Sequence, residues 1–252
     1  MGLQIRHKLC SLGPIFAIDA PSPAAPWCRR RGPDAVNPAQ RRMPLPREEV
    51  LGLAPFEGLS LEQVALPVGS DALAFAREEL LGVRFLGFDT EVKPSFKAGE
   101  EMRGPDVVQF STGTRAYVFQ MHHADSESLV REVLTASGVV KVGFDLRSDQ
   151  KQLMRRLGVH AQPLLDLDFV FSARGYPKSI GVKAAIALLF NRRLLKSKRV
   201  TTSNWSNRTL EPRQLLYAAN DAYAAWAVLD ALDLAESELP IWSNGLFMAN
   251  AR

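Results

Sequence analysis

Phe85-Leu-Gly-Phe-Asp-Thr-Glu-Val92 is the stretch that decides how this chain folds. Its apolar residues predict a buried β-strand that ends in Asp89 and Glu91. Because strand side chains alternate between two faces, both carboxylates project from one face and Thr90 from the other. Two ionised carboxylates about 4 Å apart repel by about 4 kcal/mol at an effective dielectric of 20. The pair therefore indicates a cation between them, and oxygen ligands suit Mg²⁺ or Mn²⁺. The alternative is an ordinary strand end with two solvated acids.

The composition permits one domain with a sizeable core and restricts where its charge lies. The chain has 252 residues, 46% of them hydrophobic, and a net charge of +4. Residues 1–42 carry +5 and the remaining 210 carry −1, so a nucleic-acid surface on the folded part must be local. Cys10 and Cys28 lie in the same tail, which excludes a zinc–thiolate site, a disulfide or a cysteine nucleophile after residue 42. No stretch approaches the roughly 20 apolar residues that span a bilayer, so we predict no membrane partner.

The chain divides into four predicted regions. Residues 1–42 contain six prolines and no sustained periodicity, which predicts a disordered basic tail. An alternative is that Met43 is the biological start. Residues 43–82 are predicted to form a lead-in and a helix, 83–236 the main domain, and 237–252 a C-terminal extension.

The hydrophobic pattern after residue 60 predicts an α/β domain. Strands at 83–92, 107–111 and 116–120 form an antiparallel meander, in which Thr112-Gly-Thr114 is the hairpin turn. Strands at 139–144 and 164–170 follow and are joined through helices. The pattern therefore predicts a mixed five-stranded sheet flanked by helices, in a single domain. The predicted helices are 71–81, 126–137, 149–157, 182–190 and 211–235.

Two further acids lie where ligands gather in α/β proteins. Asp149 follows the strand Lys141-Val-Gly-Phe144 after a short turn, at the start of a helix. It could simply stabilise the helix dipole, but ligands of such sheets bind at the ends of strands. Tyr217 and Asp221 are four residues apart on the last helix and share a face. Because alanines surround Asp221 and offer it no partner, we favour a functional role for it.

Phe88-Asp-Thr-Glu91, the turn that ends in Asp149-Gln150, and Tyr217-x-x-x-Asp221 resemble the three motifs of the DEDD exonuclease superfamily, in its tyrosine variant. The resemblance covers about residues 83–235 and implies an RNase H-like fold. It implies a 3′–5′ exonuclease that releases nucleoside 5′-monophosphates. Two Mg²⁺ or Mn²⁺ ions would be held by Asp89, Glu91, Asp149 and Asp221. Tyr217 would then orient the attacking water or the scissile phosphate.

A basic segment before the last helix predicts contact with single-stranded or 3′-recessed nucleic acid. Phosphates need positive charge and bases can stack on an aromatic ring. The alternative is that Trp205 packs in the core while the lysines solvate a loop. The predicted nucleic-acid-binding residues are Thr90, Lys196, Lys198, Arg199, Asn204 and Trp205.

The resemblance is closest to Werner-type and related bacterial exonucleases, partly through Ser203-Asn-Trp-Ser206. It therefore slightly favours DNA as the substrate. We also predict a cytoplasmic location and a role in DNA repair. RNase D-like trimming of RNA 3′ ends is the alternative activity, and a catalytically silent binding module on the same fold is the alternative class. Two positions depart from the family pattern. Lys93 follows Val92 where several relatives have Trp-Pro, and Asp145 stands where relatives often carry Asn or Gly.

Overall fold

One mixed sheet organises the protein. The computed structural model describes residues 43–94, 104–177, 179–243 and 246–248; the predicted tail, 1–42, lies outside them. Eight strands form the sheet in the order β1-β4-β3-β2-β5-β6-β7-β8. The strands are β1 (Val64–Ala65), β2 (Phe85–Glu91), β3 (Val107–Ser111), β4 (Ala116–Gln120), β5 (Val140–Gly143), β6 (Leu164–Asp166), β7 (Ile241–Ser243) and β8 (Leu246–Met248).

The five central strands confirm the predicted RNase H-like arrangement. β2, β3 and β4 form the antiparallel meander, and β5 and β6 continue the sheet parallel to β2. Three short strands extend it at the edges. β1 pairs parallel with β4, while β7 and β8 add an antiparallel pair beside β6. Residues before 83 and after 236 therefore also contribute strands to the sheet, outside the main domain predicted for 83–236.

Helices cover both faces of this sheet. The predicted strand 164–170 is wrong in its second half, because Leu167–Val170 belong to a helix. Asp166 ends the strand and its side chain accepts a hydrogen bond from the Asp168 amide, which is a typical N-cap interaction. The helices are α1 (Arg47–Gly52), α2 (Ser70–Leu81), α3 (Ala124–Thr135), α4 (Arg147–Leu157), α5 (Leu167–Ala173), α6 (Gly181–Phe190), α7 (Lys198–Thr201) and α8 (Pro212–Leu232).

Helix α8 lies directly against β2 because both elements carry small residues, Gly87 and Ala222, where they meet. A Cβ atom on Gly87 would stand 2.0 Å from the carbonyl oxygen of Ala222, so only glycine permits this approach. On the opposite face, Phe88 packs in a core with buried residues of α2, α3 and α4. The odd-numbered residues of β2 therefore face α8 and the even-numbered ones face α4.

The described helices show no membrane-spanning segment. In the ranges given above, none combines the length and the apolar character that crossing a bilayer requires.

Candidate active site

The end of β2 and the middle of α8 bring three carboxylates together. Ligand oxygens of Asp89, Glu91 and Asp221 lie within 4.8 Å of one another. Asp89 and Glu91 share the β2 face that α8 covers, and Asp221 precedes Ala222, the residue in contact with Gly87. The close helix–strand contact therefore sets the distance between the acids of the two motifs.

Burial and mutual repulsion make this group costly as three anions. Burial, reinforced by the Asp221 carboxylate, raises the pKa of Asp89 to about 7. Burial and the charges of Asp89 and Asp221 raise the pKa of Glu91 to about 9. Burial also raises the pKa of Asp221, which Lys196 opposes. The site thus holds more negative charge than it can stabilise alone, and cations neutralise such charge.

Asp149 approaches the strand end from the opposite face and lies outside the three-carboxylate group. Thr90 Oγ1 donates a hydrogen bond to its Oδ1, and Ser148 Oγ donates to its Oδ2 at 3.3 Å. Burial, followed by the negative charge of Asp89, raises the pKa of Asp149 to about 7. The predicted fourth carboxylate is therefore an electrostatic neighbour of Asp89, with both oxygens engaged by hydroxyl groups.

Thr90 has a contact that the sequence prediction did not assign to it. It faces away from Asp89 and Glu91, as the strand alternation requires, and in that position its hydroxyl bonds Asp149. Its amide also donates to Asp89 Oδ1 at 2.9 Å. Thr90 therefore orients two of the four predicted ligands. The sequence predicts a nucleic-acid contact for Thr90, and that contact stays a prediction.

Lys196 points into the acidic group. Its Nζ lies 2.8 Å from Asp221 Oδ2, and the exposed fractions of the two side chains are 21% and 5%. The ammonium also lies 5.7 Å from the centre of the Tyr217 ring. Burial alone would lower the pKa of Lys196, but the carboxylates of Asp221 and Asp89 raise it above its usual value. A lysine predicted to meet phosphate thus makes an ion pair with a predicted metal ligand.

Tyr217 lies beside this ion pair. Its hydroxyl accepts a hydrogen bond from Thr201 Oγ1 at 2.8 Å, and its ring contacts that of Trp205. Burial and the negative charge of Asp221 raise the pKa of Tyr217 above its usual value. The phenol therefore stays protonated at neutral pH and can donate a hydrogen bond, whereas it cannot serve as a base.

Trp205 is a correction to the predicted nucleic-acid contacts. Its side chain is fully buried, and it packs with residues of β3, β4 and α8. The indole Nε1 donates to the Thr201 carbonyl oxygen at 3.3 Å. A ring enclosed in this way cannot stack on a base. The structure therefore supports the alternative prediction, in which Trp205 packs in the core.

The other predicted nucleic-acid contacts lie on the surface. Lys198 and Arg199 are exposed at the start of α7. Asn204 is exposed too, but its amide bonds Asn207 and Ser206, so it stabilises its own loop. These three residues lie outside the three-carboxylate group, and their contact with a nucleic-acid strand stays a prediction.

The two positions that depart from the family pattern have local roles. Lys93 is exposed, and its backbone amide donates to Asp106 Oδ2 at 2.7 Å. Asp145 is exposed with φ of 50°, and its amide donates to Asp166 Oδ1. Neither side chain belongs to the group formed by Asp89, Glu91 and Asp221.

Two parts of the site were not predicted from the sequence. Gln109 lies opposite Asp89 in the β2–β3 register and is fully buried, and neither of its amide atoms has a hydrogen-bond partner among the described residues. A polar residue in the middle of an apolar strand was the available signal. Asp89, Lys196 and Asp221 also line a small cleft of about 70 Å³. Phe144, Val182 and Ala225 form its apolar wall.

Comparison with known proteins identifies the family. Residues 68–235 match the model of a family described as 3′–5′ exonuclease. The chain belongs to this 3′–5′ exonuclease family. The matched interval contains all three motifs, so the resemblance to DEDD-type exonucleases is confirmed.

Similar proteins include both exonucleases and ribonucleases. A 3′–5′ exonuclease of Arabidopsis thaliana is 32% identical over 154 residues, which are 60% of this chain and 53% of that protein. The mouse bifunctional 3′–5′ exonuclease/ATP-dependent helicase WRN is 28% identical over 173 residues, 62% of this chain and 12% of that protein. The chain thus spans about half or less of the length of these relatives.

Solved structures support the fold. RNase D of Escherichia coli has a TM-score of 0.58 at 21% identity, covering 68% of this chain and 44% of that one. Trypanosoma brucei RNase D in complex with RNA U12 has a TM-score of 0.59 at 20% identity, covering 75% and 65%. At these identities the likeness concerns the fold alone.

The residues of the site fit a divalent metal. The donors of Asp89, Glu91 and Asp221 are all carboxylate oxygens, which hard cations prefer. The three are mutually close, and their burial raises their pKa values. A divalent cation would offset that cost more effectively than a single lysine can.

Proposed function

We propose that this exonuclease hydrolyses phosphodiester bonds at nucleic-acid 3′ ends and releases nucleoside 5′-monophosphates by a two-metal mechanism. The observation that carries the proposal is the group of three carboxylates from two family motifs, within 4.8 Å of one another. Asp149 beside Asp89 supplies the fourth carboxylate. Nothing in ordinary folding favours such crowding, whereas metal-assisted hydrolysis requires it.

Asp89, Glu91, Asp149 and Asp221 would hold two Mg²⁺ or Mn²⁺ ions. Such ions, when bound, supply an activated water and neutralise the charge that develops on the leaving 3′-oxygen. Thr90 fixes Asp149 through its hydroxyl and Asp89 through its amide. The Gly87–Ala222 contact fixes Asp221 relative to β2. The fold therefore sets the positions of the ligands before any substrate arrives, which is what electrostatic preorganisation needs.

Tyr217 positions the reacting groups. Its protonated hydroxyl, held by Thr201, can donate a hydrogen bond to the attacking water or to a phosphate oxygen. The apolar wall of the cleft, formed by Phe144, Val182 and Ala225, suits the base or sugar of the terminal nucleotide. A polar reaction centre would thus lie beside an apolar surface for the departing nucleotide.

DNA is the proposed polymer, because the motif sequences lean towards Werner-type enzymes. RNA is the second candidate, and a specific observation favours it. A protein named ribonuclease D from Xanthomonas oryzae is 28% identical over 126 residues, which are 50% of this chain and 34% of that protein. A cytoplasmic location and a role in DNA repair stay predictions from the sequence.

The test uses the full chain with 5′-labelled DNA and RNA, each single-stranded and 3′-recessed, in Mg²⁺, Mn²⁺ or EDTA. We expect a ladder that shortens from the 3′ end only with metal, and nucleoside 5′-monophosphates as products. Faster digestion of RNA would assign the chain to RNA 3′-end trimming.

The binding-module alternative gives a different result. A chain that binds these strands in a mobility-shift assay and cleaves none of them with either metal would contradict the proposed activity. Retention of all four acids and of Tyr217 argues against that alternative.

A further inference from the structure

Lys196 differs from the other basic residues of its segment. Its side chain is 21% exposed and points inward, whereas Lys198 and Arg199 are exposed. The segment is anchored on either side of it by the buried residues Leu194 and Val200. This anchoring directs one lysine of the basic run into the site and leaves the others outside.

The inward lysine uses an oxygen that a metal would need. Its ammonium lies 2.8 Å from Asp221 Oδ2, within the group formed with Asp89 and Glu91. A Mg²⁺ ion binds carboxylate oxygen at about 2.1 Å. If a metal ion and the Lys196 ammonium both bound the Asp221 carboxylate, the two cations would lie about 5 Å apart or closer. The site is largely buried, so these like charges would repel each other strongly.

We propose that Lys196 is a built-in counter-ion that must leave Asp221 before metal can load, and that a nucleotide phosphate draws it away. The lysine thereby couples metal binding to substrate binding. This inference rests on the proposed function, since it assumes that the site holds divalent metal beside a nucleotide phosphate.

The geometry allows this exchange. Lysine carries its charge on a flexible four-carbon stem, and Lys196 lines the cleft together with Asp89 and Asp221. A phosphate that enters the cleft offers the ammonium a new anionic partner at little displacement. Because coupling between two ligands is reciprocal, the phosphate would strengthen metal binding and metal would strengthen phosphate binding by the same factor.

The experiment measures Mn²⁺ affinity of the full chain by electron paramagnetic resonance, without turnover. The variants are Lys196→Met, which keeps the length of the stem, and Lys198→Met as the matched control. We expect Lys196→Met to bind Mn²⁺ about ten-fold more tightly than the wild type, and Lys198→Met to match the wild type. Equal or weaker binding by Lys196→Met would overturn the proposal.

A second set of titrations adds thymidine 5′-monophosphate, with thymidine as the control that lacks phosphate. The monophosphate should tighten Mn²⁺ binding of the wild type by about ten-fold, and of Lys196→Met much less. An equal gain in both proteins would contradict the coupling role.

Lys196→Gln provides a second test should Lys196→Met fail to fold, and circular dichroism checks each variant. A wild type that binds no Mn²⁺ even with thymidine 5′-monophosphate present would overturn the proposed function and this inference together. A wild type that binds Mn²⁺ and cleaves, beside a Lys196 variant with unchanged affinity, would overturn the inference alone.

Discussion

Substituting Gly87 with alanine tests whether the β2–α8 contact positions the proposed catalytic acids. The added Cβ would lie 2.0 Å from the Ala222 carbonyl oxygen, whereas ordinary contacts begin near 3.4 Å. Helix α8 must therefore move away by about 1.4 Å, because the obstructing atom is backbone and cannot rotate aside. Overpacking of this kind costs about 1–3 kcal/mol of unfolding free energy. Asp221 adjoins Ala222 and would move with it, and a shift of about 1 Å in a reacting group costs about 100-fold in rate.

The assay combines thermal unfolding with single-turnover cleavage of a labelled oligonucleotide. We expect Gly87→Ala to lower Tm by several degrees and the cleavage rate by about 100-fold. Gly138→Ala is the matched control, since a Cβ there would meet nothing within 4 Å. A Gly87→Ala protein with the Tm and rate of the wild type would refute the idea that this contact sets the Asp89–Asp221 distance.

Three further outcomes are expected. In EDTA, the free energy of unfolding should fall as pH rises from about 4 to about 7. The folded-state pKa values of Asp89 and Asp149 are about 7, whereas their ordinary value is 3.8. In this pH window the folded protein therefore binds more protons than the unfolded protein does, and raising the pH destabilises it. Mg²⁺ should reverse the loss in denaturant titrations at pH 8, and a stability that rises with pH would contradict the charge crowding. Tyr217→Phe should lower kcat by about 100-fold with a smaller effect on KM, because it removes a positioning hydrogen bond; a change in KM alone would indicate a packing role. Trp205→Ala should cost about 3–5 kcal/mol in urea unfolding, and an unchanged stability with weaker strand binding would mean that the ring contacts bases.

The central sheet and the acids on β2 and α8 could be predicted from the sequence because their signals are local. The alternation of strand side chains predicts that Asp89 and Glu91 share one face of β2, and the helical spacing predicts that Tyr217 and Asp221 share one face of α8. The three strands β1, β7 and β8 have two or three residues each, too few to show a period. They pair with the sheet because its edges offer unpaired backbone groups.

The contacts that define the site depend on tertiary packing. The Lys196–Asp221 ion pair joins a residue of the loop before α7 to a residue of α8, and nothing in the spacing of a basic run shows which lysine points inward. The Thr90–Asp149 hydrogen bond likewise depends on where α4 lies against the end of β2. Trp205 was ambiguous because a tryptophan beside basic residues fits both a stacking surface and a core, and burial decided for the core.

The most direct test of the site is single-turnover cleavage by Asp89→Asn beside Asp145→Asn. Both changes remove one carboxylate charge with little change in shape, but only Asp89 belongs to the three-carboxylate group, while Asp145 is exposed in a turn. We expect Asp89→Asn to abolish metal-dependent cleavage while the protein stays folded, and Asp145→Asn to cleave like the wild type. Normal cleavage by Asp89→Asn would contradict the assignment of this group as the catalytic centre.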